Sequence, residues 1–168
     1  KKYLKTIGIE TSAYVSQIGN IKLDNIDLKF AKSNKYFFAD KSKLDDLDNM
    51  FKKLIDEGNS VGARLGVNIK NCPAGLGEPV FDKLDAEFAK AMMSINAVKS
   101  VSIGNADDVL LLKGSEARDE IRAEGFQSNN AGGILGGISN GDEININFII
   151  KPTSSIKKGG KSINKEGK

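Results

Sequence analysis

The hydrophobic rhythm of the chain predicts a mixed fold, α/β or α+β. Three observations carry this. Apolar residues alternate along 7–18 and, most cleanly, along 142–150 (DEININFII). They recur at helical spacing along 41–57 and 80–96. Turn residues separate these stretches.

Residues 7–18 place Ile7, Ile9, Thr11, Ala13 and Val15 on one side of a period-2 pattern, which predicts a strand turning at Gly19-Asn20. Tyr36, Phe37 and Phe38 suggest a buried patch in an otherwise ambiguous stretch, 21–38. In 41–57, Leu44, Leu47, Phe51, Leu54 and Ile55 form a helical stripe. Asp40 or Ser42 can cap its start, and Gly58 stands where a left-handed residue ends a helix. Residues 60–70 read as a strand whose two glycines invite a bulge or close backbone contact. The loop 71–79 leads to a second helix, 80–96, with Phe81, Leu84, Phe88, Ala91, Met92 and Ile95 as its stripe. Residues 98–103 alternate as a strand. Residues 105–127 are mostly polar, with Arg118 and Arg122 one helical turn apart. In the strand 142–150, Ile144, Ile146, Phe148 and Ile150 share one face. Residues 1–156 are expected to form one domain, and 157–168 a basic flexible tail with nothing to bury.

Composition excludes several functions. The 168 residues contain one cysteine, Cys72, and no histidine. Histidine-based triads and structural zinc sites cannot be made from this chain alone, and no metal site is expected. The net charge is +3, yet 157–168 hold five Lys and one Glu, so the other residues sum to −1. With only Arg64, Arg118 and Arg122 as arginines, a nucleic-acid face is not the natural reading. The chain lacks a membrane-length apolar run and an evident signal peptide, so a soluble cytoplasmic protein is the default.

Three segments offer binding chemistry. Lys151-Pro152-Thr153-Ser154-Ser155 supplies a cation, three consecutive N–H donors and three hydroxyls, which is either a phosphate cradle or an ordinary polar turn. The glycine pairs of 132–137 bring backbone against a ligand or against other backbone. Ile138 replaces the lysine of a nucleotide P-loop, so that motif is disfavoured. Asn96 can read a heterocycle edge beside the small Ala97, or simply end a helix. The acidic neighbours of Arg118 and Arg122 favour a solvated ion-pair surface. Cys72 has no partner nearby in sequence that would make it a nucleophile.

Taken in order, four strings resemble chorismate synthases: 73–84 (PAGLGEPVFDKL), 93–99 (MSINAVK), 125–139 (GFQSNNAGGILGGIS) and 151–156 (KPTSSI), with 13–19 (AYVSQIG) as weaker support. The resemblance runs over nearly the whole chain. It implies an α+β fold with helices sandwiched between antiparallel β-sheets. It also implies an FMN-dependent carbon–oxygen lyase of the shikimate pathway, which converts 5-enolpyruvylshikimate 3-phosphate to chorismate by anti-1,4 elimination of phosphate. Reduced FMN is the implied cofactor, NADPH the implied reductant, and a homotetramer the implied assembly. Nucleic acid and membrane are not implied partners. The family's flavin contacts fall on Asn96, Ala97, Gly136, Lys151, Pro152, Thr153, Ser154 and Ser155. The chain resembles a truncated piece, beginning about a third of the way through the family's length. The family's histidines and an Arg-His-Asp-Pro segment have no counterpart, so the piece alone is expected to be inactive. Ala63-Arg64 departs from a usual glycine and apolar residue. Two other readings are a non-enzymatic phosphate- or nucleotide-binding module and a Lys-rich RNA-binding protein.

Overall fold

The structure, a computed structural model, describes residues 2–167. Its frame is a five-stranded, wholly antiparallel sheet in the order β2-β1-β3-β9-β4. The strands are β1 (Glu10–Ile18), β2 (Ile21–Lys22), β3 (Ala63–Lys70), β4 (Val98–Ile103) and β9 (Ile144–Ile150). Two small hairpins stand apart, β5 (Ile121–Arg122) with β6 (Gly125–Phe126), and β7 (Ile134–Leu135) with β8 (Ile138–Ser139). The helices are α1 (Lys2–Thr6), α2 (Leu28–Ala31), α3 (Leu44–Asp56), α4 (Leu84–Met93), α5 (Ala106–Val109) and α6 (Gly114–Ala117). A 3-10 turn, Lys41–Lys43, precedes α3. An antiparallel sheet with helices between its strands settles the class as α+β.

Register explains which face is buried. Ala63, Leu65, Val67 and Ile69 of β3 lie opposite Ile150, Phe148, Ile146 and Ile144 of β9, so one face is apolar. Near Ile69 and Ile144, α4 covers this face with Leu84, Phe88 and Met92. At the other end α3 packs through the fully buried Leu47, against Ile18 and Phe38. The opposite face is polar and carries Ser12, Tyr14, Asn68, Asn145 and Asn147. Tyr14 pairs with Gly66, where any Cβ would lie 2.5 Å from the phenol ring. Beside it β1 bulges between Val15 and Gln17. The glycine of 60–70 therefore does admit a close contact, and the bulge falls on the facing strand.

Local chemistry sets the α3 boundaries. Asp40 caps the 3-10 turn that leads into α3, accepting from the Ser42 N–H at 2.9 Å and the Ser42 hydroxyl at 2.7 Å, while α3 itself has Lys43 at its N-cap and no side-chain cap; Gly58 follows the helix end at φ +62°. The Ser42 hydroxyl bond and the Asp24 N–H bond hold the buried Asp40 carboxyl down at about 2.

Four expectations need correction. Ile7 precedes β1 and is exposed. Phe38 is fully buried, but Phe37 is 59% exposed at φ +52°, while Tyr36 stacks on Phe51 with centroids 5.0 Å apart. The second helix starts only at Leu84, leaving Phe81 88% exposed. Pro79 and Val80 (φ +81°) hold 78–83 out of helical geometry, although Phe81 fits the stripe. Arg118 and Arg122 share no helix, since Arg118 ends α6 and Arg122 lies in β5. Arg118 does pair with Glu120 at 3.0 Å, as an ion-pair surface requires.

Candidate functional site

Three chain segments meet at the Ile150 end of the sheet. β9 exits into Lys151, β4 is entered from Ala97, and β3 is entered from Gly62. The Lys151 N–H donates to the Ala97 carbonyl at 2.9 Å, so the two sequence-predicted segments 96–97 and 151–155 are joined by backbone. Ala97 sits at φ +69°, a left-handed conformation that costs an L-residue roughly 1–2 kcal/mol. The strain reverses the chain between α4 and β4 within four residues, 94–97, and presents the exposed Asn96 at the corner.

The strand exit is clamped from the other side. The Ser60 hydroxyl donates to the Thr153 carbonyl at 2.6 Å. A Cβ on Gly62 would lie 2.7 Å from the Ile150 carbonyl oxygen and 3.2 Å from Pro152 Cδ. Lys158 N–H donates to the Gly58 carbonyl at 3.2 Å. Despite these anchors, the N–H groups and hydroxyls of Thr153, Ser154 and Ser155 donate to nothing among the described residues. Residues 151–155 are all exposed. A cavity of about 370 Å³ opens alongside, walled by Leu54, Ile55 and Ile156 and edged by Ser60, Thr153 and Ser155. Open donors next to a part-apolar recess can hold a ligand with a polar chain and a flat ring.

Gly136 lies elsewhere. Gly136 and Gly137 form the two-residue turn of the β7–β8 hairpin at φ +61° and +87°, a turn that glycines favour. The Gly137 carbonyl accepts the Leu84 N–H at 2.7 Å and so caps the start of α4. Gly136 therefore belongs to one end of α4 and Asn96-Ala97 to the other, roughly 15 Å apart along ten residues of helix.

The remaining glycines of the segment are occupied with packing. A Cβ on Gly104 would meet the Asn130 carbonyl oxygen, and would lie 2.6 Å from Gly132 N. One on Gly133 would lie 2.7 Å from the Glu143 carbonyl oxygen. Gly137 is closed by the Lys83 side chain. Only Gly136 of this group is exposed, with nothing within 4 Å of a built Cβ. Packing thus accounts for Gly132 and Gly133 against backbone and for Gly137 against the Lys83 side chain, and leaves Gly136 free toward solvent.

Asp119 organises this end and was not visible to sequence reasoning. Its carboxylate accepts from the Ser128 hydroxyl at 2.6 Å and from the N–H groups of Asn130 at 2.7 Å and Ala131 at 2.9 Å. Burial works against the charge, but these three donors outweigh it and hold the carboxyl below its ordinary value. Cys72 is buried in the core beside Ile69 and Ile144, and burial pushes its thiol up, away from nucleophilic use.

A family profile described as chorismate synthase matches residues 1–168. A solved structure titled "Crystal Structure of Chorismate Synthase" superposes with a TM-score of 0.85 at 28% identity. The match covers 92% of this chain and 52% of that one, so the chain spans about half the length of the solved protein.

Proposed function

The chain belongs to the chorismate synthase family, and from that premise we propose that it forms the flavin-holding part of a carbon–oxygen lyase of the shikimate pathway. The proposed reaction is the anti-1,4 elimination of phosphate from 5-enolpyruvylshikimate 3-phosphate. One observation carries the reading. The Ala97–Lys151 bond joins two of the segments that resemble the family's flavin contacts, and the donors of 153–155 beside them have no partner among the described residues. Reduced FMN, when bound, supplies the electron density on which phosphate departure draws.

The residues present fit that cofactor. Asn96 offers a donor and an acceptor to a heterocycle edge, and Ala97 leaves room for it. Lys151, fixed by its own N–H at the strand exit, brings a point charge. Pro152 sets the direction of the chain, and Thr153, Ser154 and Ser155 offer N–H and hydroxyl donors to polar parts of the ligand. Gly136, roughly 15 Å away at the other end of α4, would meet a different part of the cofactor as bare backbone. Proton transfer is not assigned to this chain, which has no histidine. The 168-residue chain alone is accordingly inactive in this proposal. Homotetrameric assembly, a cytoplasmic setting and NADPH-derived electrons are carried over from the family on the same footing.

Flavin titration of the full-length protein tests the assignment. Lys151→Ala should weaken FMN binding roughly tenfold, the worth of one charge-assisted contact. Gly136→Trp should weaken it at least as much. Unchanged affinity in both variants would overturn the reading.

A further inference from the structure

At the opposite end of the sheet from Lys151, a second recess has no part in the proposed flavin site. It holds about 290 Å³ and lies where β1 begins and β3 ends, with α1 and α2 along its rim. Four lysines surround it: Lys5 from α1, Lys29 in α2, Lys32 just after it, and Lys70 from β3. Glu10 is the single carboxylate in the lining, giving the recess a net charge of +3, whereas residues 1–156 as a whole sum to −1.

The partners of these lysines decide what the recess can do. Lys35, Lys43, Lys83 and Lys90 each have a carboxylate within 4.0 Å. Lys5, Lys29 and Lys32 have none among the described residues. Lys70 pairs with Glu143 at 3.5 Å, a carboxylate it shares with Asn68, so three of the four lysines are without a carboxylate among the described residues and the fourth has part of one. Asp27, just before α2, is committed to capping that helix, accepting from the N–H groups of Lys29 and Phe30 at 2.9 Å each. Ser12 faces the same side of the sheet as Glu10 and Lys70 and lines the recess, with its hydroxyl unbonded among the described residues. Unpaired ammonium groups around a concave surface repel one another, and an anion of two or more charges relieves that repulsion for all of them at once.

We propose that this recess is an anion site for a small phosphate-bearing molecule, held by Lys5, Lys29, Lys32 and Lys70 with the Ser12 hydroxyl. The proposal does not depend on the flavin reading. The eight residues of β3 separate the two sites by roughly 25 Å, so one phosphate cannot serve both. Three of the four cations come from separate elements, and all four line one depression sized for a compact ligand. The volume accommodates a phosphate with a small organic group attached, near the lower limit of about 300 Å³ for small-molecule pockets.

Residue-resolved NMR on the 168-residue chain at low ionic strength tests this, first with inorganic phosphate and then with glycerol 3-phosphate as a phosphomonoester. Saturable shifts should appear at Ser12, Lys29, Lys32 and Lys70 independently of those at 153–155. The exposed pair Lys29→Gln/Lys32→Gln should raise the dissociation constant about tenfold, while Lys157→Gln/Lys158→Gln should leave it unchanged. Lys5→Gln alone gives a second, milder variant should the pair disturb α2. Tighter binding of glycerol 3-phosphate identifies an organic phosphate as the ligand, and tighter binding of inorganic phosphate identifies the free ion; either supports the site. Identical shifts with chloride at matched ionic strength would overturn it. So would affinity unchanged in the Lys29/Lys32 pair, which would mean that the lysines only shield the border of β1.

Discussion

At the Ile144 end of β9, Gly104 and Gly132 press main chain on main chain, and Asp119 takes up the N–H groups of Asn130 and Ala131. At the Ile150 end, Thr153, Ser154 and Ser155 hold their donors open to solvent, although Ser60 and Ala97 anchor the backbone around them. Both ends are built from small and polar residues. The difference is where the hydrogen-bond capacity goes. One end spends its glycines and carboxylate on its own fold, and the other keeps donors in reserve on a fixed support. Residue type alone does not separate a folding device from a binding device; the partners of the N–H groups do.

The largest expected effect tests the packed end directly. Gly104→Ala should destabilise the chain by about 3 kcal/mol or more, from overpacking combined with a strained φ of +64°. Thermal melting should fall by about 10 °C. Gly136→Ala, with a similar φ of +61° but open space around it, should cost only about 1 kcal/mol. Equal losses in the two variants would erase the distinction between packed and free glycines.

A middle-sized effect concerns Asp119. Its carboxyl is held low in the folded state, so its contribution is present above the ordinary carboxylate range and is lost as pH falls through the lowered folded value. Asp119→Ala strands two backbone donors and should cost about 1–2 kcal/mol at neutral pH. It should also flatten the acid limb of the stability curve. Urea melts of both proteins between neutral and acid pH read this, and parallel acid limbs would contradict it.

The smallest effect belongs to the open end. Ala97→Gly should relieve the left-handed strain and stabilise the fold by about 0.5–1 kcal/mol, the flexibility of glycine in the unfolded chain offsetting part of the gain. A loss of stability in equilibrium unfolding would mean that the Ala97 methyl packs more than its partial exposure suggests.

Much of this frame can be read from local signals. The α3 helix announces itself through its stripe, Asp40 and Gly58, all within a few residues of the element they define. β9 does so through strict alternation. Where the reading slipped, the deciding partner was distant in sequence. Phe81 fits the α4 stripe, yet the helix begins where the Gly137 carbonyl meets the Leu84 N–H. Asp119 looked like one acid among several, because its partners are backbone groups near 130 that composition cannot display. The strand-exit string was legible as a cluster of donors. That Ala97 shares its backbone with Lys151 was not, because only the sheet order brings β4 beside β9.

The sheet's outer strands have a consequence for how the protein behaves when concentrated. On one side β2 is two residues long, and α2 together with the Phe37 and Ala39 backbone flanks the border of β1. On the other, β4 is kinked between Val98 and Ser100, with the charged Lys99 at the irregularity. Neither border offers a long flat template, so the five-stranded sheet of the described residues is poorly shaped for growing into fibres by recruiting further copies.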